Sequence, residues 1–585
     1  MPHQHTVAQL VAAELQAQPV ARIYGLCGGH IQPIWDATAR AGVKIVDVRH
    51  EGSAVLMAQA EAQLTGELTV AMVTAGPGLT NTITAIANAD ASQAPVLIVT
   101  GRPPLPQAGR GAMQEVPQME IVRPLCRFAS SVLHQDHALE TLRSAMRAAR
   151  GADGPPGPAC VEFPTEIFDE QATTSRVSSA FRDDGRALRA SPDSRALEAA
   201  CELIASSRRP LVIAGRGVRG ARRPLLSFLE LSGALYLDSA ESRGAVRDDH
   251  PCAVPAVRGQ AMREADLVIT LARRLNFQLG YGSPAVFADH TQFLRIGATR
   301  TETADNRMGD VELTCDLRTA LEALVERSAR PRSPDLDWLR SVRAKSSARR
   351  EQHLGAMRSR QAGADGRMHP DRLLSALNDR IDDDTIIIAD GGDILSFARV
   401  GLRSTTFLDC GPLGCLGVGV PFATAAALAY PERPVIAVIG DGAFGFTAME
   451  LDTAVRHAAR AVFVVANNEG WNIERMDQAD RYGGNLVGVE LPGCRYDLLA
   501  QSLGVSGRRI DDPNDLPAAI DWAFSNAPAL LDVLVTRDAE SPDFKSGIPR
   551  VPLRQALATW DLAEAARERQ TLSVSGHHPP KRQLL

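Results

Sequence analysis

Short apolar segments alternate with Ala-rich segments of helix length along most of this chain, and this alternation restricts its possible folds more than any other feature. Between residues 20 and 170 the apolar segments are ARIYGLCG, VKIVDVRH, LTVAMVTAG, APVLIVTG and GPACVEFP. A second block repeats the pattern with RPLVIAG, ALYLDSA, ADLVITLA and TQFLRIGA, and a third with DTIIIADGG, RPVIAVIGDG, RAVFVVANN and ALLDVLVTR. Strands that alternate with helices form parallel sheets. The sequence therefore predicts an α/β fold with three doubly wound parallel-sheet domains.

Two polar stretches separate these blocks, one at residues 171–194 and one, charged and helix-prone, at 328–366. A chain of 585 residues is too long for one core. We expect a first domain at 1–180, a central Rossmann-like domain at 195–330, a third domain at 367–540, and a C-terminal lid or tail at 541–585. The segment SPDFKSGIPRVP at the start of that tail contains three prolines and a glycine, so we expect it to form no helix of its own.

Composition and charge exclude several classes of protein. With 45% hydrophobic and 23% charged residues the chain has ordinary globular composition, and its net charge of -6 gives no reason to expect a nucleic acid or an anionic membrane as a partner. The nine cysteines form no Cys-x-x-Cys pair, so neither a zinc site nor a disulfide framework is indicated. The first residues have the pattern of an amphipathic helix, and no run of about 18 apolar residues follows. We therefore expect no signal peptide, no membrane span and a cytoplasmic location.

A Gly-Asp-Gly triplet after one strand and an Asn-Asn pair after the next form the motif with the most chemistry, GDGAFGFTAMELDTAVRHAARAVFVVANN. Asp441 and Asn468 both follow strand carboxyl ends, where open α/β sheets bind ligands. A carboxylate, an amide oxygen and a nearby carbonyl suit Mg²⁺ that already holds a diphosphate. The small residues Gly442 and Ala443 would let backbone N–H groups approach that phosphate. The alternative is a strand–turn–helix unit in which these residues serve turns and caps.

The triplet, the spacer and the Asn-Asn pair resemble the signature of thiamine-diphosphate-dependent enzymes, and the resemblance extends over all three blocks. It implies thiamine diphosphate and Mg²⁺ as cofactors, with Asp441, Asn468 and the carbonyl of Gly470 as the metal ligands. It also implies that two glycine loops contact the diphosphate, at Gly391 and Gly392 in ADGGD and at Gly440, the first residue of the triplet.

Two further motifs resemble the same family. In VDVRHEGSA, Glu51 has the position of the glutamate that exchanges a proton with the aminopyrimidine ring of the cofactor. TAGPGLTN follows at family spacing, and its Pro77 and Asn81 match positions near the cofactor. In GPLGCLGVG, Leu416 matches the large apolar residue that bends the cofactor, and Gly414 would offer a carbonyl to its amino group. Because family members build the site from two subunits, a homodimer or homotetramer is implied.

The substrate side is indicated by His30 in LCGGHIQ and by Gln114 and Glu115 in GAMQEVPQ. These contexts are similar to benzaldehyde lyase and 2-hydroxyacyl-CoA lyases, where a neutral imidazole and an amide could orient the substrate hydroxyl and relay its proton. Glu474 matches a catalytic glutamate of pyruvate-decarboxylase-type enzymes. Alternatively it is a surface charge paired with Arg475 or Arg481.

The central block contains GRGVRG, followed by Asp238 about twenty residues later. This pattern fits a dinucleotide-binding fingerprint only weakly. The corresponding family domain holds FAD in acetolactate synthase and ADP in oxalyl-CoA decarboxylase. Here the strand end where those enzymes carry an aspartate is RIGATRTE. We therefore expect no FAD, and ADP is doubtful.

These features together predict a thiamine-diphosphate-dependent C–C lyase or carboligase similar to 2-hydroxyacyl-CoA lyase. Its substrate would be a small molecule, and an acyl-CoA if the protein is such a lyase. Lys545 and Arg550 of the tail could then face CoA phosphates. The alternative within the family is an acetolactate-synthase-like transferase or a 2-oxoacid decarboxylase. A catalytically dead, nucleotide-binding regulatory protein is the alternative from another class. An NAD oxidoreductase would explain none of the paired motifs.

Overall fold

The computed structural model describes residues 5–152, 154–172, 189–284, 286–403 and 406–546. These residues contain three parallel β-sheets flanked by helices, and the predicted α/β class is therefore confirmed. The described residues within 5–189, 243–247 and 351–542 belong to one compact unit, which includes the first and third sheets. Residues 190–242, 248–350 and 543–546 belong to a second unit, which includes the middle sheet.

The first sheet has six parallel strands. Its elements are β1 (His5–Thr6), α1 (Val7–Ala17), β2 (Arg22–Leu26), α2 (Gln32–Arg40), β3 (Lys44–Asp47), α3 (Glu51–Thr65), β4 (Thr69–Val73), α4 (Pro77–Thr80), α5 (Ile83–Ala91), β5 (Val96–Arg102), α6 (Gln118–Val122), β6 (Phe128–Ser131), α7 (Ala138–Arg150), β7 (Ala159–Pro164) and β8 (Gln171–Ala172). The strand order is β3-β2-β4-β5-β7-β6, and β1 pairs with β8 in a separate antiparallel ladder. Every residue of β4 is buried, as expected for a strand covered by helices on both faces.

The middle sheet has five parallel strands in the order β10-β9-β11-β12-β13. Its elements are α8 (Ser194–Ser206), β9 (Pro210–Ala214), α9 (Arg222–Ser232), β10 (Leu235–Leu237), α10 (Arg258–Glu264), β11 (Leu267–Leu271), β12 (Gln292–Gly297), α11 (Arg300–Thr303), β13 (Val311–Thr314), α12 (Leu317–Glu326) and α13 (Leu336–Met357). The helix-prone stretch at 328–366 thus contains the long helix α13.

The third sheet repeats the design of the first, with six parallel strands in the order β15-β14-β16-β17-β19-β18. Its elements are α14 (Pro370–Asn378), β14 (Ile386–Asp390), α15 (Asp393–Gly401), β15 (Thr406–Asp409), α16 (Gly419–Ala429), β16 (Val435–Gly440), α17 (Asp441–Thr447), α18 (Glu450–Arg456), β17 (Ala461–Asn467), α19 (Asn472–Arg481), α20 (Tyr496–Ser502), β18 (Ser506–Ile510), α21 (Leu516–Ser525), β19 (Ala529–Leu534) and α22 (Pro542–Ser546).

The start of the predicted tail differs from expectation. Residues 542–546 form the short helix α22, so the prediction that this segment forms no helix is wrong. Proline is well tolerated in the first turn of a helix, where its missing N–H would have no partner, and Pro542 begins this one. The rest of the tail, including Arg550, lies outside the described residues. None of the helices in the described ranges is long and apolar enough to cross a membrane.

Helix α3 of the first sheet packs on α16 of the third, and the two helices share one buried cluster. Both helices bury several alanines, whose small side chains favour close packing of helices. Hydrogen bonds fix the same contact at its edge, from Arg22 Nη2 to the carbonyl of Leu428 at 2.9 Å and from the Tyr430 hydroxyl to the carbonyl of Leu64 at 3.2 Å. The α3 helix, which begins with Glu51, is therefore held firmly within its unit.

Candidate active site

Glu51 lies at the N-terminus of α3, just beyond the carboxyl end of β3. His50 caps the helix by accepting the Gly52 N–H on Nδ1 at 3.1 Å. Glu51 is only 9% exposed, and its Oε2 accepts a hydrogen bond from Asn81 Nδ2 at 3.0 Å. The N-terminus of a helix stabilises a negative charge, which suits a carboxylate at this position.

Pro77 and Asn81 bracket the one-turn helix α4, which follows β4. Pro77 is the first residue of α4 and is exposed, whereas Asn81 caps its end. Gly78 inside the turn faces the glutamate, since a Cβ at Gly78 would lie 3.9 Å from Glu51 Oε1. The structure therefore brings α4 and Glu51 together, and the predicted contact of these residues with a cofactor stays a prediction.

His30 and Gln114 lie at the same edge of the first sheet, beside the end of β4. Gly28, which precedes the short turn containing His30, packs against Thr74, whose Cβ would be 2.5 Å from a Cβ on Gly28. Gln114 packs against Gly76 in the same way, at 2.7 Å from a Cβ placed there. Among the described residues the buried His30 Nδ1 has no hydrogen-bond partner. Both predicted substrate residues thus adjoin the loop that leads to α4.

Two other side chains hold the segment around Gln114. Glu115 accepts the N–H groups of Gly109 at 2.6 Å and Ala112 at 3.2 Å, and these backbone bonds lower the pKa of Glu115. Gln118 is 2% exposed and accepts the Gly76 N–H at 2.6 Å. Gln118 could not be identified from the sequence, because a glutamine that begins a short helix gives no signal that it is buried.

Asp441 is the first residue of α17 and directly follows β16. It is 2% exposed, and its Oδ2 accepts the N–H of Gly470 at 2.9 Å. Burial raises the pKa of Asp441 to about 7, although surrounding backbone N–H groups favour its charged form. Asn468 follows the neighbouring strand β17. The three predicted metal ligands, Asp441, Asn468 and Gly470, therefore follow the carboxyl ends of the adjacent strands β16 and β17.

Asn468 and Asn472 present two buried amide oxygens at this edge. Their Nδ2 atoms both donate to Asp393 Oδ2, at 3.4 and 3.1 Å. Because Asp393 holds the nitrogens, the two Oδ1 atoms point away from it, and neither has a hydrogen-bond partner among the described residues. A buried polar atom without a partner is costly unless a ligand satisfies it, and Mg²⁺ prefers hard oxygen ligands. These oxygens, with the Asp441 carboxylate, fit a Mg²⁺ ion that carries a diphosphate.

The predicted diphosphate contacts all lie at the carboxyl ends of β14 and β16, and they are Gly391, Gly392, Gly440, Gly442 and Ala443. Gly391 has a φ of 109° and lies against Gly440, whose N would be 3.3 Å from a Cβ on Gly391. A Cβ on Gly442 would lie 2.6 Å from the ring of Trp471. Residues larger than glycine are therefore excluded at Gly391 and Gly442. The backbone of these two segments lines the edge at the carboxyl ends of β14 and β16, which we call the glycine edge.

Gly414 and Leu416 lie in the loop before α16. Gly414 is exposed, and Leu416 is half-buried against the core of the third sheet. The end of the loop is fixed by Asp390, whose Oδ2 accepts the N–H groups of Gly417 at 3.0 Å and Gly419 at 2.8 Å. Burial raises the pKa of Asp390 to about 6. Since Asp390 ends β14, the loop that carries Leu416 adjoins the glycine edge.

Glu469 lies between two of the predicted metal ligands and has a φ of 57°, a strained conformation for a residue other than glycine. Its carboxylate accepts from Arg367 Nη2 at 2.7 Å and from Arg537 Nη2 at 3.4 Å. Partial burial opposes the charge of Glu469, but the arginines outweigh this effect and its pKa is lowered. The loop is thus fastened by ion pairs from outside the motif, which the sequence analysis did not find.

Glu474 is exposed in the first turn of α19. Arg475 binds Glu490 at 3.1 Å, and Arg481 binds Asp477 at 3.3 Å. Neither arginine holds Glu474, so the interpretation of Glu474 as half of a surface ion pair is wrong. Its catalytic role stays a prediction.

The glycine-rich segment of the middle sheet follows β9. A Cβ on Gly215 would lie 2.0 Å from the carbonyl oxygen of Ala272, so the glycine serves a close approach between two backbones. At the end of β12, Glu302 Oε2 accepts the Ala298 N–H at 2.9 Å. A carboxylate is therefore present at this strand end, although it bonds to the backbone of its own domain. The expected absence of FAD and the doubt about ADP remain predictions.

Comparisons with known proteins agree with this geometry. The N-terminal TPP binding domain of thiamine pyrophosphate enzymes matches residues 5–121, their central domain matches 197–324, and their C-terminal TPP binding domain matches 393–533. Thiamine pyrophosphate is thiamine diphosphate under its other name. The chain belongs to the thiamine pyrophosphate enzyme family, and it is an enzyme that depends on this cofactor.

Individual relatives divide between two activities. The chain is 32% identical to 2-hydroxyacyl-CoA lyase 2 of Caenorhabditis elegans, over 92% of this chain and 90% of the relative. It is 30% identical to 2-hydroxyacyl-CoA lyase 2 of Homo sapiens over the same shares. It is also 33% identical to the acetolactate synthase large subunit IlvG of Mycobacterium tuberculosis, over 91% of this chain and 96% of the relative. The resemblance to this family that the sequence motifs indicated is confirmed.

Proposed function

We propose that the protein is a thiamine-diphosphate-dependent lyase or carboligase that cleaves a 2-hydroxyacyl-CoA to an aldehyde or ketone and formyl-CoA, or joins these in reverse. The observation that carries this proposal is the grouping of His30, Gln114 and Glu51 around the end of β4. Two polar residues at the same strand end as this glutamate suit a substrate whose hydroxyl must be oriented and lose its proton. The relatives named 2-hydroxyacyl-CoA lyase 2 support the same assignment.

The cofactor would be held from two sides. Asp441, Asn468 and the carbonyl of Gly470 would bind Mg²⁺, and the glycine edge would receive the diphosphate. When bound, thiamine diphosphate supplies a carbon nucleophile that attacks a carbonyl group. Glu51 would hold a proton at the aminopyrimidine ring, and Asn81 would orient the glutamate by the bond to Oε2. Leu416 and Gly414 would contact the middle of the cofactor.

Assembly follows from the same reasoning. The glutamate and the metal ligands belong to different sheets, and we propose that the site is completed between chains in a homodimer or homotetramer. We also propose the division into domains at 1–180, 195–330 and 367–540, with 541–585 as a C-terminal lid or tail.

The lid has one structural support in the described residues. Ser541 is buried, and its side chain bonds to Asp393, the residue that orients Asn468 and Asn472. The tail therefore begins at the candidate metal edge. We propose, as the sequence predicts, that the tail covers the substrate, with Lys545 and Arg550 facing CoA phosphates. A tail that only packs elsewhere is the alternative.

Product analysis by mass spectrometry tests the proposal. The purified enzyme is incubated with thiamine diphosphate and Mg²⁺ and with a panel of 2-hydroxyacyl-CoAs, 2-oxoacids and aromatic acyloins. We expect formyl-CoA and the matching aldehyde from a 2-hydroxyacyl-CoA. Release of CO₂ from 2-oxoacids without cleavage of any CoA ester would instead favour the acetolactate-synthase-like transferase or a 2-oxoacid decarboxylase, which the mycobacterial relative supports. A dead regulatory protein would turn over nothing, but Glu51, Asp441 and Asn468 all stand at the family positions.

A further inference from the structure

We propose that Gln118 is a positioning residue that holds in place the two loops on which Glu51 and His30 depend. Gln118 begins α6 and is 2% exposed, so its carboxamide acts inside the protein. The inference rests on the proposed roles of Glu51 and His30. It adds to them a residue that touches neither cofactor nor substrate and acts through the backbone.

The orientation of the Gln118 amide is fully determined by its neighbours. Its Nε2 donates to the carbonyl of Gly101 at 3.0 Å and to Glu162 Oε2 at 2.7 Å. Both partners are acceptors only, so the nitrogen must face them. The opposite atom, Oε1, then accepts the Gly76 N–H at 2.6 Å. One buried amide thus joins two strand ends and a carboxylate, and none of its hydrogen-bonding atoms is left without a partner.

One of these bonds leads to Glu51. Gly76 has φ 59° and ψ -114°, a backbone conformation that residues other than glycine rarely adopt. The hydrogen bond from the Gly76 N–H to Gln118 holds the backbone in this conformation. Gly76 immediately precedes α4, whose single turn ends at Asn81. Asn81 in turn donates to Glu51 Oε2 at 3.0 Å. Because one rigid turn separates Gly76 from Asn81, a shift at Gly76 would move the donor that orients the glutamate.

The second bond leads to the His30 turn. Gly101 lies near the end of β5, and a Cβ on it would be 2.5 Å from the His30 carbonyl oxygen and 2.6 Å from the His30 Cβ. The two backbones are therefore in contact. By holding the Gly101 carbonyl, Gln118 fixes the surface on which His30 rests. Gln114, which packs on Gly76, is fixed from the same centre.

Glu162 anchors the amide from below. It is 3% exposed in β7, and its other oxygen accepts from Arg102 Nη1 at 2.9 Å and from the Ser131 hydroxyl. A buried carboxylate that is paired and hydrogen-bonded is a rigid acceptor, and bonds to a charged partner are stronger than neutral ones. Gln118 is thus attached to the sheet rather than to a mobile side chain.

Gln118→Met tests the proposal, because methionine has similar length and no hydrogen-bonding amide. The matched control is Gln59→Met. Gln59 is fully buried in α3 of the same domain, donates to Ser92 Oγ at 3.2 Å and accepts from Asn88 at 3.0 Å, and its bonds lead to no candidate site residue. Both variants lose a buried amide, so both should lower the unfolding temperature.

Three readouts need no substrate, and two of them, C2 exchange and Gly76 amide exchange, separate the variants. In the holoenzyme, hydrogen–deuterium exchange at C2 of bound thiamine diphosphate should fall at least about tenfold in Gln118→Met, because a small misplacement of a catalytic group has large kinetic effects. The dissociation constant of thiamine diphosphate should stay within about threefold, since the diphosphate is held at another sheet. In the protein without cofactor, the Gly76 backbone amide should exchange faster. Gln59→Met should change neither the C2 exchange nor the Gly76 exchange.

Equal C2 exchange in the two variants, measured at equal distance below their unfolding temperatures, would overturn the proposal. If Gln118→Met does not fold, Glu162→Gln decides instead, because Arg102 and Gln118 donate to different oxygens of Glu162 and glutamine replaces one of these with an NH₂ group. We expect C2 exchange to fall at least about threefold there, and a wild-type rate would refute a positioning role. Failure of the lyase assignment would instead appear in the wild type, as intact CoA esters with normal C2 exchange.

Discussion

Replacement of Glu51 by glutamine removes a proton-exchanging group while changing little else. Glutamine has the same shape as glutamate, and its amide oxygen can still accept the hydrogen bond from Asn81 Nδ2. In the wild-type protein this bond to Glu51 Oε2 is 3.0 Å long. The cap that His50 provides for α3 is unaffected. Acid–base catalysis by a positioned side chain contributes about 10²–10⁴ in rate, or about 2.7–5.4 kcal/mol. We therefore expect Glu51→Gln to lower both turnover and C2 exchange of bound thiamine diphosphate at least about a hundredfold.

Glu61→Gln is the matched control, because Glu61 is a second buried glutamate on the same helix. It binds Arg22 Nη1 at 2.7 Å and the Tyr24 hydroxyl at 2.6 Å, so its replacement also removes a buried charge. Loss of that partner should lower stability by about 1–3 kcal/mol. The C2 exchange rate should nevertheless stay within about threefold of the wild type. The assay is proton NMR of the cofactor after acid quench at a series of times in deuterium oxide.

Two results would contradict these expectations. Wild-type C2 exchange in Glu51→Gln would refute the assignment of Glu51 as the proton-exchanging residue. An equal loss in Glu61→Gln would show that the effect comes from general loosening of α3. Calorimetry should show that Glu51→Gln still binds thiamine diphosphate, since the proposed phosphate anchor is on another sheet.

Four further predictions follow. Asp441→Ala should weaken thiamine diphosphate binding at least about tenfold because the Mg²⁺ bridge is lost; unchanged calorimetric affinity would contradict the metal site. Glu469→Gln should weaken Mg²⁺-dependent binding severalfold while the unfolding temperature changes little, because the strained loop loses its ion pairs; an unchanged Mg²⁺ titration would refute this. The purified protein should show no flavin absorbance, and a yellow preparation would refute that expectation. Truncation after Ser546 keeps the Ser541 contact, and it should raise the KM for an acyl-CoA about tenfold or more with cofactor affinity kept; an unchanged KM would exclude the lid.

The α/β class and the central strands of each sheet could be predicted from the spacing of apolar segments. Strands such as TVAMV and VIAVIG are buried along nearly their whole length, so their apolar character is continuous and visible in the sequence. Four strands at sheet edges, β6, β13, β15 and β18, were not among the predicted segments, and each of them includes residues that are not buried. Helix α22 also differs from expectation. The prolines and glycine of this segment argued against a helix, but Pro542 begins the helix and therefore does not interrupt it. Composition alone does not say on which side of a proline a helix begins.

The candidate site could be predicted where its residues belong to a short motif. Asp441 and Asn468 lie at the ends of neighbouring strands, and Glu51 begins the helix after β3, as their positions in the sequence required. The alternative prediction for Glu474, an ion pair with Arg475 or Arg481, was wrong because both arginines bind other acidic residues. In the structure Arg475 has a partner on another segment.

The residues that hold the site in shape could not be predicted, and the reason is their separation along the chain. Gln118 meets Glu162 across 44 positions, and Arg367 meets Glu469 across 102. A motif is recognisable because a strand, a turn and a helix fix its spacing, whereas these pairs are joined only after the sheet has formed. Each such partner comes from an element with its own loop lengths, so no fixed interval marks it. For this reason the chemistry of the site can be predicted from local patterns, while its orientation depends on contacts that only the fold creates.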